Sequence, residues 1–161
     1  MKGTTRFKVE RGSHSILEVI SDIFEGKPIS SKVPYCIRSI ERVNVETVRI
    51  NFIDEVDEDL LIRIALKEGF RVERGSFAPR IVEKDAIVAR IGSRSDFGGR
   101  FDLYIYPFPP EIERLSMYRR VLASRRGLIN SKTGRANLEK IHEFNLRIIR
   151  LVNSYIKEKY F

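Results

Sequence analysis

The sequence predicts an α+β fold: a mixed or antiparallel sheet in ferredoxin-like βαββαβ order, with an extra β-hairpin and a C-terminal helical hairpin. Three observations carry this expectation. Up to Gly75 the chain runs strand, helix, two strands, helix, strand, the order of a ferredoxin-like unit. Two further strand-like runs then flank the glycine-rich stretch Gly92–Gly99. Pro107, Pro109 and Pro110 end the sheet pattern, and the residues beyond them have helical spacing. With 161 residues, 42% hydrophobic and 32% charged, the chain has the length and apolar content for one core. The expected division is an α+β sheet region over 1–110 and a basic helical hairpin over 111–161, packed on the sheet or extending from it.

Each element has a local reason. Arg6–Glu10 alternates weakly, as a first strand would. Ser13 or Ser15 can cap a helix over SILEVISDIFEG, where Ile16, Val19, Ile20 and Ile23 or Phe24 form an apolar face, and Gly26 and Pro28 stop it. YCIRSIERVNVETVRINF is rich in β-branched residues with polar residues at roughly every second place, which predicts a hairpin bending near Val43–Glu46. The acidic run Asp54–Asp59 sets negative charge at the start of the helix DEDLLIRIALKEG, where the helix dipole favours it. Gly69 ends that helix and FRVERG begins a strand.

APRIVEKDAIVARIG and RFDLYIYPF read as two more strands joined through Gly92–Gly99, with Leu103, Ile105 and Phe108 packing and Tyr104 and Tyr106 on the other side. Pro110 suits the first turn of a helix over Glu111–Arg126, with Ile112, Leu115, Tyr118, Val121 and Leu122 on its apolar side and Gly127 closing it. After the polar link GLINSKTGRAN, a long helix runs from Asn137. Its apolar seam of Ile141, Phe144, Ile148, Leu151 and Tyr155 suits packing on the preceding helix or on a second chain, which makes a homodimer or protein partner one expectation.

The net charge of +8 is concentrated near the C-terminus. Residues 1–110 hold 18 Lys plus Arg against 17 Asp plus Glu, whereas residues 111–161 hold 12 against 5. From Arg114 through Leu138 there are seven basic residues and no acidic one, a local positive field. Nucleic acid, RNA or DNA, is the natural partner. Arg119, Arg120, Arg125, Arg126, Lys132 and Arg135 are the expected phosphate contacts, with Arg94, Arg100, Tyr104 and Tyr106 as a basic and aromatic rim for a base or phosphate. A basic face that is merely solvated competes with this reading, since helix C-termini favour cations.

Other chemistries find less support. The lone Cys36 can form no internal disulfide and lacks partners for a zinc cluster, and His14 and His142 are isolated. Asp54–Asp59 lacks the spacing of a calcium loop. Glu25-Gly26-Lys27 has no upstream Asp suited to a nuclease, and neither a phosphate-cradling Gly-rich loop nor a dinucleotide fingerprint occurs. AIVARIGSRSDFGGRFDLYIYPF resembles the core of the nucleotidyltransferase family, in which a strand ends in Gly-Ser and the next carries paired acids that hold magnesium. Gly92 and Ser93 match the turn and Asp102 matches one acid, but the partner position is Arg100. The resemblance implies at most a nucleotidyltransferase-like enzyme or a degenerate relative; the alternative is a hairpin finishing the sheet. The expectation is therefore a non-enzymatic binding protein with no cofactor and no metal.

No apolar run approaches the ~20 residues that cross a bilayer, and MKGTTRFKVE lacks the apolar segment of a secretion signal, so a cytoplasmic location is expected. The absence of Gln and Trp beside abundant Arg, Lys, Glu and Ile matches the composition of thermophile proteins.

Overall fold

The alternation in YCIRSIERVNVETVRINF becomes an antiparallel pair, β1 (Ile37–Asn44) and β2 (Thr47–Phe52). Its turn falls within the expected bend, where Asn44 Oδ1 accepts the Glu46 N–H at 2.9 Å. The computed structural model describes residues 34–74, 78–93, 96 and 98–161. The strand expected over Arg6–Glu10 and the helix after it lie outside the described residues.

Helix α1 (Glu58–Lys67) starts at the acidic run: Asp57 caps it by accepting the Leu60 N–H at 3.1 Å, with Glu58 and Asp59 in the first turn. Gly69, at φ +92°, releases the chain into β3 (Arg71–Glu73). The segment read as one strand over APRIVEKDAIVARIG is instead a hairpin, β4 (Arg80–Glu83) and β5 (Ala86–Ile91). Its turn is carried by Lys84 at φ +59°, a left-handed position with no glycine or asparagine to announce it. Strand β6 (Asp102–Ile105) follows the Gly92–Gly99 loop and pairs with both β5 and β2.

The described strands form one antiparallel sheet in the order β1-β2-β6-β5-β4-β3. A ferredoxin-like arrangement would set the strand expected at residues 6–10 beside β2 and the FRVERG strand beyond it; β6 holds the first place, and β3 lies at the far edge from β1. The described residues thus give an α+β fold with an antiparallel sheet, without the ferredoxin-like order.

Register sorts the two faces. Ile40, Ile50, Leu103 and Ile91 lie in one cross-strand row, and Val48, Ile105, Ala89 and Ile81 in the next. These apolar rows face the helices. The opposite face carries the row Glu41, Arg49, Tyr104, Arg90, Arg80 and Glu73 across all six strands.

Helix α2 (Met117–Arg125) is shorter than expected: Ile112–Arg114 forms a 3₁₀ turn, Leu115 is extended, and Ser116 caps α2. Helix α3 (Leu138–Tyr160) begins at the Asn137 cap and buries Ile141, Phe144, Ile148, Leu151 and Tyr155 among other apolar residues. The seam read as a possible docking surface is thus used inside this chain. Tyr155 stands edge-on to Phe52 of β2, centroids 5.6 Å apart, and its hydroxyl accepts the Asp57 N–H at 2.8 Å. Burying such side chains is worth about 1.5–3 kcal/mol each, the main attachment of α3 to the sheet. No helix among the described residues is long and apolar enough to cross a membrane.

Candidate nucleic-acid interface

The basic segment divides into inward and outward cations. Only Arg119, Leu122 and Ala123 of α2 are buried, so the helix is turned from the expected face and leaves Tyr118 and Val121 outside. Arg119 is 5% exposed. Its guanidinium lies 4.0 Å over the Phe108 ring and donates to the Tyr106 carbonyl at 2.6 Å and the Ile87 carbonyl at 3.3 Å. Burial, the dominant influence, pulls its pKa down to about 10. Arg119 is thus turned inward, tying α2 to the sheet and withdrawn from solvent.

Arg126 is likewise withdrawn. It pairs with Glu83 and stands 3.6 Å from Asp85, and its guanidinium lies 5.0 Å from the Phe144 ring. Arg147 of α3 pairs with the other oxygen of Glu83 and covers the Phe70 ring at 4.7 Å. Glu83, at the end of β4, thus holds Arg126 at the C-terminal cap of α2 and Arg147 of α3. No local pattern marks it, because both partners are distant in sequence.

What remains outside is a smaller cluster. Arg120 is exposed and donates to the Glu113 carbonyl at 2.5 Å. Arg125 is exposed and stands 3.8 Å from Asp85, an exposed pair of the kind worth about 0–1 kcal/mol and readily exchanged. The link after Gly127 folds back on itself. Ile129 bridges Ala136, Asn130 N–H donates to the Arg135 carbonyl at 2.8 Å, and Asn130 Oδ1 accepts the N–H groups of Lys132 and Thr133 at 2.9 and 3.2 Å. This leaves Ser131, Lys132, Thr133, Gly134 and Arg135 exposed at its tip.

Between α2 and this loop runs a groove of about 480 Å³, lined by Arg120 and Ser124 on the helix and by Asn130, Ser131 and Gly134 on the loop, with Glu113 at one wall. Among the described residues no carboxylate pairs with Arg120, Lys132 or Arg135. A Cβ built on Gly127 would lie 3.0 Å from Lys140 Nζ, which places that ammonium at the C-terminal end of α2.

The second expected cluster is not brought together as a rim. Arg94 lies outside the described residues. Arg100 is 3.6 Å from Glu58, and Tyr104 is buried beneath the Arg90 guanidinium at 4.3 Å, so it offers no stacking surface. Tyr106 hydroxyl accepts Arg90 Nε–H at 2.9 Å.

The Gly-Ser turn and its acid are also used within the fold. Asp102 is fully buried and accepts Asn51 Nδ2–H at 2.6 Å and the Gly98 N–H at 2.8 Å. A Cβ at Gly98 would collide with the Asp102 carboxylate, so this close approach demands glycine. Asp96 accepts the Ser93 N–H at 2.7 Å and the Ser93 hydroxyl at 3.1 Å, and pairs with Arg90 at 2.9 Å. The hydrogen bond from Arg90 holds its carboxyl down at about 2. Asp96 and Asp102 are thus both engaged by groups of the fold itself. Cys36 is buried, and burial pushes its thiol up to about 12.

No family model, curated protein or solved structure matches the chain.

Proposed function

We propose that this protein binds the phosphate backbone of a nucleic acid through the groove between α2 and the 129–136 loop, with Arg120, Arg125, Lys132 and Arg135 as the contacts. The observation that carries this reading is that Arg120 lines the groove and Lys132 and Arg135 stand exposed on the loop that forms its other wall, none with a carboxylate partner among the described residues. An uncancelled field of this kind attracts a polyanion, and long cationic side chains reach successive phosphates. Glu113 at the groove wall narrows the positive strip without closing it. The reading is of a binding protein, because Asp102 and Asp96, the acids nearest a catalytic motif, are engaged by the fold itself.

The test is a fluorescence-anisotropy titration of labelled RNA and DNA at a series of salt concentrations. Four phosphate contacts predict that log affinity falls against log salt with a slope of about three. The triple variant Arg120→Ala, Lys132→Ala, Arg135→Ala should bind more weakly and lower that slope to about one. A flat salt response, or a triple variant that binds like the parent, removes the proposal.

A further inference from the structure

We infer that the nucleic acid taken at this site is a single strand, one base of which stacks on Tyr118. This rests on the backbone-binding reading above and extends it to what the strand presents besides phosphate. The outward side of α2 carries an apolar stripe where a solvated helix would carry polar residues: Met117 is 74% exposed, Tyr118 60% and Val121 41%. None of the three contributes to the core, and Tyr118 and Val121 lie one turn apart.

Tyr118 leans toward the β4–β5 turn. Its hydroxyl donates to the Asp85 carbonyl at 3.4 Å, and Arg125, two turns further along α2, approaches the carboxylate of the same Asp85 at 3.8 Å. An aromatic face and a guanidinium therefore converge on one residue of the β4–β5 turn, and across the outward Met117 and Val121 surface Arg120 faces the groove on the other side of the helix. An aromatic plane with cations on its flanks is how proteins grip unpaired nucleotides, the ring meeting the base and the cations meeting the backbone.

The charge decides among occupants. A duplex would satisfy Arg120, Arg125, Lys132 and Arg135 but stacks its bases inward, leaving Met117, Tyr118 and Val121 with nothing apolar to meet. A single strand supplies both the phosphates and the exposed base faces. An apolar protein segment would cover the stripe but leave these cations unused.

The experiment is a binding titration with one oligonucleotide as a single strand and as its duplex. The parent chain is compared with Tyr118→Ala, Tyr118→Phe and the triple cation variant, each checked for an unchanged melting temperature. The single strand should bind more tightly than the duplex. Tyr118→Ala should weaken the single-strand complex about tenfold and leave the duplex complex unchanged, and Tyr118→Phe should retain the parent affinity, because stacking needs the ring and not the hydroxyl. If Tyr118→Ala binds the single strand like the parent, or weakens both forms alike, while the triple variant still loses affinity, base stacking is wrong and phosphate binding survives. If neither nucleic acid binds the parent, both readings fall, and the stripe is then a surface for a protein.

Discussion

Arg119 and Arg120 are neighbours in sequence and occupy opposite environments. Arg119 lies over Phe108 with two carbonyls on its guanidinium, while Arg120 stands at the edge of a groove and, among the described residues, reaches only the Glu113 carbonyl. The same division recurs between Arg126, held by Glu83 and Asp85, and the Lys132 and Arg135 of the loop. Charge counted along a chain therefore overstates charge offered to a partner: of the six cations expected to meet phosphate, two join α2 to the sheet. A buried cation is kept where carbonyls, a carboxylate or an aromatic face replace its lost water. An exposed one costs nothing to keep free.

Substitutions on the two sides should separate stability from affinity. The largest effect is expected for Arg119→Ala, which leaves the Ile87 and Tyr106 carbonyls without their donor and a hole beneath α2. Urea denaturation should show a loss of about 2–4 kcal/mol. A loss of affinity with no loss of stability would instead place Arg119 among the contacts. Glu83→Gln comes next, since it removes the carboxylate shared by Arg126 and Arg147 yet leaves both partly solvated. A loss of about 1–2 kcal/mol is expected, below the cost of breaking a fully buried pair, and a neutral result would mean that the shared clasp is not what secures the two helices. Smallest is the triple variant Arg120→Ala, Lys132→Ala, Arg135→Ala, whose unfolding free energy should stay within about 0.5 kcal/mol of the parent even as its affinity falls. A larger destabilisation would move these side chains to the structural group.

How far the sequence foretells this arrangement depends on the range of the cause. The β1–β2 turn, the acidic cap of α1, the Gly92–Gly99 connection and the start of α3 at Asn137 each have a local signal, and each occurs where that signal stands. The β4–β5 turn escapes because Lys84 adopts a left-handed conformation normally advertised by glycine or asparagine. The facing of α2 escapes because apolar periodicity treats arginine as an outside residue, so Tyr118 and Val121 read as core in place of Arg119 and Ala123, with Leu122 alone common to the expected and observed faces of α2. Strand order escapes for another reason: the pairing of β2 with β6 joins segments some fifty residues apart, as in Asn51 opposite Asp102, and nothing within either segment names the other. The candidate groove is legible only as a basic stretch; its walls come from the loop closing at Ile129 and Ala136.

The margins of the sheet bear on how this molecule meets others. Among the described residues β3 is only three residues long, with exposed Arg71 and Glu73, and β1 is broken by irregularities between Ile37 and Ser39 and between Arg42 and Asn44. Short, charged or kinked borders resist the addition of a foreign strand, which protects a sheet against fibrous self-association. Recruitment by strand addition is thereby discouraged at both borders of the described sheet.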